Sequence, residues 1–216
     1  NPYASGEDNN NVIYSSFSER PKHLDPAKAY SSNEYAIIAQ IYEPLFQYHY
    51  LIRPYQLEPL SAKSMPLIEY FDKHDNPLAV DAAANKIAYS EYWLTISNGI
   101  QFQPHPSFNI KLHKQLPADI DGEGLYDLPS TTRVLTSDDF IYQIKRLADP
   151  ASQSPIAGLM GNYIVGLSDF SKRQSALIKQ FPSLRKTQRL QSDTIAGVRK
   201  INDEQFVIKI KGKYPQ

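Results

Sequence analysis

The chain has 216 residues, 41% hydrophobic and 21% charged, which suits one ordinary globular domain or slightly more and excludes wholesale disorder. Its 23 basic residues balance 23 acidic ones, which argues against a general binder of nucleic acid or of anionic membrane. Cysteine is absent, so thiol nucleophiles, thiolate zinc sites and disulfides are excluded, while the compartment stays open. No apolar run approaches the roughly 18 residues of a membrane span. The opening NPYASGEDNNN is polar and lacks the basic-then-apolar layout of a signal peptide, so an exported protein would already have lost its targeting segment. The 15 tyrosines suit either a recognition surface or half-buried strand positions.

In chain order, residues 11–18 carry a short strand pattern, and Leu24-Asp25-Pro26 makes a sharp corner. A helix is expected over 32–43. Ser31 and Glu34 form a capping box at its start, and Ile37, Ile38, Ile41 and Leu45 recur at helical spacing on its buried face. Pro44 stops it. From 46 to about 80 four prolines separate short extended pieces. Residues 86–97 alternate as a strand, with Tyr92, Leu94 and Ile96 on one face and Trp93 and Thr95 on the other. Asn98-Gly99 predicts a tight hairpin, with IQFQ returning as the partner strand.

Residues 103–134 are rich in Pro, Asp and Gly and predict a long surface excursion. A second helix is expected over 136–149, capped by Thr136 or Ser137, with Phe140, Ile144, Leu147 and Ala148 as its apolar stripe. A weaker helix is expected over 171–180. The chain closes on a hairpin, TIAGVRKI then EQFVIKIK, turning at Asn202-Asp203. No internal repeat is visible.

Constellations that carry chemistry are few. Asp138-Asp139 falls in the first turn of a helix, where capping accounts for it, and Asp203-Glu204 falls in a hairpin turn. The five histidines, His23, His49, His74, His105 and His113, form no metal-ligand spacing. No serine sits in a nucleophile elbow, and no glycine-rich run cradles phosphate. Between 171 and 192 lie Lys172, Arg173, Lys179, Arg185, Lys186 and Arg189 with no acid among them. This is a partner-facing basic segment or, more simply, a surface balanced by acids elsewhere.

The segments LDPAKAYSSNEYAIIAQIYEPL, LEPLSAKSMP, YWLTISNGIQFQPHPSF, LTSDDFIYQIKRLADP, SPIAG and AGVRKINDEQFVIKIKGKYPQ occur in an order that resembles extracytoplasmic solute-binding proteins of family 5. These are the oligopeptide- and dipeptide-binding components of ABC importers. The resemblance runs over nearly the whole chain, through motifs that are soft singly and specific together. It implies an α/β fold, mixed α+β in this stretch, of periplasmic-binding-protein type II kind. Family members are much longer, so the chain resembles an N-terminal fragment of a two-lobed receptor. Residues 1–45 correspond to the start of the first lobe and 46–216 to the small extra domain of peptide binders, with the C-terminal lobe absent.

The resemblance further implies a binding protein and not an enzyme. It would be a periplasmic monomer, with a lipid anchor allowed in the full-length protein, and would have no cofactor, no metal and no nucleic-acid partner. Its partners would be a peptide ligand and a membrane permease. Tyr30, Ser31 and Ser32 match a cleft-lining segment that offers backbone groups to an extended peptide. Ile156 matches a position that often holds an aromatic near ligand. Asp25 and Pro26 match the family's shaping corner and are structural. An oligosaccharide or a metal complex is the alternative ligand, because one scaffold hosts several.

Overall fold

The computed structural model describes residues 16, 19–109 and 129–214. Apart from Ser16, the strand expected over 11–18 lies outside the described residues, as does the 110–128 part of the excursion, His113 included. The described residues form a mixed α+β fold. Helix α1 spans Ser32–Ile38, followed by strands β1 (Phe46–Tyr48), β2 (Leu57–Pro59), β3 (Leu67–Phe71), β4 (Pro77–Leu78) and β5 (Tyr89–Thr95). Four helices come next, α2 (Ser137–Ala148), α3 (Ala157–Tyr163), α4 (Leu167–Gln180) and α5 (Lys186–Gln191), and then β6 (Val198–Lys200) and β7 (Gln205–Lys211).

The main sheet is antiparallel, in the order β4-β3-β5-β7-β6, and β1 and β2 form a separate two-stranded sheet. The alternation of β5 sets the two faces. Tyr92 lies opposite Ile208 and Leu94 opposite Phe206, so the apolar residues of both strands share one side. Helix α2 covers that side: Phe140, Ile141 and Ile144 pack on Leu94, Ile96 and Phe206, and the Phe140 and Phe206 rings stack at 5.8 Å. The other side is half open. There the Trp93 indole N–H donates to Glu69 at 2.9 Å and Arg199 lies over the Trp93 ring.

The expected pairing of IQFQ with β5 does not occur. Gly99 turns the chain with φ of 79°, but residues 100–105 run beside 131–135. Phe102 N–H donates to the Arg133 carbonyl (3.0 Å) and Leu135 N–H to that of Ile100 (2.8 Å). Both edges of β5 are already taken, by β3 and by the seven-residue β7, whose Phe206, Ile208 and Ile210 extend the apolar face far further than one short tetrapeptide could. The closing hairpin, β6 with β7, forms as its spacing predicts.

Helix α2 lies within the expected span and carries its capping box through Thr136 and Asp139. Ser137, fully buried, ties its start to the closing hairpin by bonds to the Asp203 and Asn202 carbonyls. The weaker helix starts earlier than expected, at Leu167, because Leu167 and Phe170 are its buried anchors. Helices α3 and α5 carry no periodic signal of their own. At seven and six residues they depend on tertiary contact, as short helices do in water. A second core of Ala148, Ile164, Leu167, Phe170, Leu190, Ile195 and Val198 joins all four to β6.

Helix α1 is shorter than the expected 32–43. After Ile38 three-residue bonds appear, Gln40 to Ile37 and Ile41 to Ile38, and the last bond, Tyr42 to Ile38, closes the turn at four-residue spacing. Pro44 gives no N–H to prolong it and disfavours a helical Glu43. Ile41 therefore leaves the expected buried face and is 63% exposed, while Ile38 is buried and Ile37 and Leu45 are half-buried.

One close approach locks the sheet to the helices. Gly197 N–H donates to the Val165 carbonyl (2.8 Å) while its own carbonyl accepts from Lys209 (2.7 Å), and a Cβ at Gly197 would stand 2.5 Å from the Val165 oxygen. Gly197→Ala is expected to lower unfolding stability by about 1–3 kcal/mol. Gly158→Ala, in open space on α3, should be neutral or stabilising by up to about 1 kcal/mol. Urea denaturation of both variants checks the contrast.

Candidate functional site

The site begins at the corner. Asp25 holds the turn with both ends: its carbonyl accepts from Lys28 and Ala29 N–H at 2.9 Å, and its Oδ1 accepts from Ala27 N–H at 3.0 Å. Its Oδ2 pairs with Arg146 on α2 at 2.5 Å. Partial burial works against its charge, but the Ala27 bond and Arg146 outweigh burial and hold the carboxyl below its ordinary range. Asp25 thus shapes the corner and fastens it to the body of the fold.

Glu34 organises what lies between corner and helix. Its side chain is buried, with the residue only 4% exposed, and each oxygen accepts two backbone N–H groups. Oε1 takes Lys22 (2.9 Å) and His23 (2.8 Å), while Oε2 takes Tyr30 (2.9 Å) and Ser31 (3.0 Å). The capping box with Ser31 is present as its spacing predicts; the bonds to residues 22 and 23 are additional. The Ser31 and Tyr30 N–H groups are the main reason the Glu34 carboxyl lies far below its ordinary value.

Tyr30 is 77% exposed, and Ser31 and Ser32 are exposed as well; the Ser31 hydroxyl donates to Asn33 Oδ1. Tyr30 and Ser31 line a cleft of about 370 Å³, facing Gln153 and Pro155 from a segment more than a hundred residues away in sequence. Ser32 and Ile156 each adjoin a lining residue in the chain but are not part of its wall. Ile156 is half-buried and begins α3. The N–H groups of Tyr30 and Ser31 are engaged by Glu34, so a ligand would meet the Tyr30 carbonyl and phenol, not its N–H. A second hollow of about 450 Å³, lined by Asp72, His74 and Lys86 among others, contains none of the expected residues.

The opposite wall rests on a buried polar chain. Asp149, at the end of α2, accepts on Oδ1 from Ala151 N–H (3.2 Å) and from Arg189 (2.9 Å). Its Oδ2 has no hydrogen bond and meets Lys186 Nζ at 3.4 Å. Arg189 also donates to Gln174 (2.6 Å), which donates to Asp193 (2.8 Å), which pairs with Arg173 (2.9 Å). Lys186 bonds Ser152 at 2.8 Å. These ties shape the turn after α2, where Gln153 adopts a left-handed φ of 51°, a conformation that costs a non-glycine residue energy. In the basic run from 171 to 192, Lys172, Arg173, Lys186 and Arg189 thus all have acidic partners.

Sequence reasoning singled out neither Gln153 nor the basic side chains beside the corner, Arg20, Lys22 and Lys28, which also line the cleft. The Asp138-Asp139 pair is structural. Asp139 caps α2 and pairs with Arg133, and Asp138 pairs with Lys200 at 2.6 Å.

No protein-family model matches the chain, and comparison with curated proteins returns no relative. Among solved structures, the chain aligns with the murein tripeptide binding protein MppA of Escherichia coli at 18% identity and a TM-score of 0.47. The alignment covers 93% of this chain and 26% of that one, so the chain spans about a quarter of that protein's length.

Two outcomes test this geometry. Arg189→Ala strands Asp149 without its buried counter-charge and should destabilise the fold by about 3–5 kcal/mol in thermal or urea unfolding. For Glu34, the folded-state value lies below the ordinary 4.5, so the unfolded chain binds more protons between the two values and stability rises with pH across that window. The contribution is complete above about pH 4.5 and is lost only as pH falls toward the depressed folded value. Amide exchange at Lys22, His23, Tyr30 and Ser31 should stay slow at pH 4 in the native chain and become fast in Glu34→Gln at any pH. Loss of protection in the native chain with a midpoint near 4.5 would contradict the assignment.

Proposed function

We propose that this chain is the opening part of the substrate-binding component of an ABC importer, capturing short peptides outside the cytoplasmic membrane. One observation carries the reading. Tyr30 and Ser31, which the family resemblance assigns to a cleft lining, line a cleft whose far side, Gln153 and Pro155, directly precedes Ile156, the distant position the resemblance also assigns near ligand. In this reading the fold is the periplasmic-binding-protein type II kind. Residues 1–45 open the first lobe and 46–216 form the adjoining small domain, and ligand binding shifts an open–closed equilibrium of two lobes. Exposed apolar side chains support a missing opposing wall: Tyr35, Ile41, Tyr42, Tyr48, Tyr50 and Leu51 all face outward. The protein acts by binding, as a periplasmic monomer working with a membrane permease.

A sugar ligand is the second reading, favoured by the engaged N–H groups of Tyr30 and Ser31 and by the exposed Tyr30 ring. Calorimetric titration of the 216-residue chain with short peptides should give weak binding or none, since one wall cannot enclose a ligand. Sub-micromolar affinity would overturn the fragment reading. Mass spectrometry of ligand carried by the full-length protein should return peptides; oligosaccharides would favour the second reading.

A further inference from the structure

We infer that the turn between α4 and α5 docks on an anionic bilayer surface, whatever ligand the cleft takes. The basic run from 171 to 192 holds six cations and no acid. Four of them are answered: Lys172, Arg173, Lys186 and Arg189 pair with Asp169, Asp193 and Asp149. The other two, Lys179 and Arg185, have no carboxylate within 4 Å among the described residues. They stand on either side of one short turn, Lys179 in the last turn of α4 and Arg185 at the cap of α5. The carbonyl end of α4 favours a cation at Lys179, but Arg185 opens a helix, where the backbone dipole opposes one. Local structure therefore does not account for the pair.

Between these cations the apolar side chains lie outside. The Phe181 carbonyl accepts Leu184 N–H at 3.0 Å, which makes them the first and fourth residues of a β-turn with Pro182 second. That closure brings Phe181 and Leu184 together, 48% and 37% exposed, and every residue from 179 to 185 is exposed. The apex is held from below. Its two helices are tied by the buried bond from Arg189 to Gln174 at 2.6 Å, so the cations and the apolar pair are arranged before any partner arrives.

Size and shape decide the partner. A specific protein interface takes about 20–30 residues a side, whereas this protrusion presents seven. Neither hollow described above includes it. A bilayer needs no matching pocket: its acyl boundary takes the Phe and Leu side chains, while Lys and Arg bury their stems and leave their charges among the headgroups. Zero net charge excludes a protein that is positive all round, not a cationic patch at one end. With two cations and two apolar side chains the docking is reversible and is not an anchor.

Sedimentation of the 216-residue chain with vesicles at low salt tests the assignment. Vesicles of phosphatidylglycerol and phosphatidylcholine in equal parts should bind it at millimolar lipid, and phosphatidylcholine alone should bind far more weakly. Spin-labelled lipid in the anionic vesicles should broaden the amides of 179–185 before others. The double variant Lys179→Gln, Arg185→Gln should weaken binding about thirtyfold, and Phe181→Ser, Leu184→Ser about tenfold. Lys63→Gln, Lys211→Gln removes the same charge elsewhere and should leave binding nearly unchanged. Added salt should weaken it.

Equal binding to both vesicle types, broadening centred on another face, or equal losses in the two charge variants would overturn the inference. So would the absence of any binding. Polyglutamate shifting the 179–185 amides more strongly than anionic vesicles would overturn it in favour of an acidic protein partner.

Discussion

A single buried guanidinium holds the helical half of this fold together. Arg189 sits on α5, a helix too short to persist alone, and reaches Asp149 at the end of α2 and Gln174 in the middle of α4. Neither charge can be withdrawn without stranding the other away from water, so the three helices are fixed in mutual position more firmly than their apolar contacts alone would require. Asp149 passes the constraint on. The same oxygen that meets Arg189 also accepts Ala151 N–H, and Lys186 reaches Ser152, so the turn leaving α2 has its direction set from within. Gln153 adopts its left-handed conformation because the residues before it are already tied down.

The same helix end carries the other wall of the cleft. Arg146, less than one turn before Asp149, pairs with Asp25 and so fastens the corner to α2. The corner has little apolar core of its own beyond Ala27 and Ile38. Its internal cohesion comes from Glu34, whose buried carboxylate gathers four N–H groups of an irregular segment that has no regular structure to bond them. This arrangement decides what the segment can offer outward. Its donors point inward to the carboxylate, and its side chains and carbonyls face solvent. Recognition by added-strand pairing through Tyr30 and Ser31 N–H groups is thereby closed off, and side-chain chemistry is left to define the ligand.

What was legible in the sequence was local. The Ser31–Glu34 and Thr136–Asp139 boxes, the alternation of β5 and the closing hairpin each depend on spacing within one short window. The pairing of β5 with β7 was not legible. Asn98-Gly99 is a sound turn signal, but which strand takes the free edge depends on an apolar match made more than a hundred residues later. Helices α3 and α5 were missed because tertiary contact, not periodicity, holds them. For the site, family resemblance pointed to Tyr30, Ser31, Ser32 and Ile156, and the cleft wall includes the first two and not the others. The contribution of Gln153 rests on a backbone angle, and that of Arg20 and Lys28 on convergence in space; neither leaves a trace in residue order.

The distribution of exposed apolar groups bears on how such a site could bind well. From residue 24 to 67 the chain exposes Leu24, Tyr30, Tyr35, Ile41, Tyr42, Tyr48, Tyr50, Leu51, Tyr55 and Leu57, whereas the main sheet buries its apolar face under α2. The β1–β2 pair has three residues per strand and reaches the core through Phe46, so two short strands make no complete layer of their own. In the proposed two-lobed receptor a second body covers this stretch. Covering it would also exclude water from the neighbouring cleft, where lower effective dielectric multiplies every charge contact.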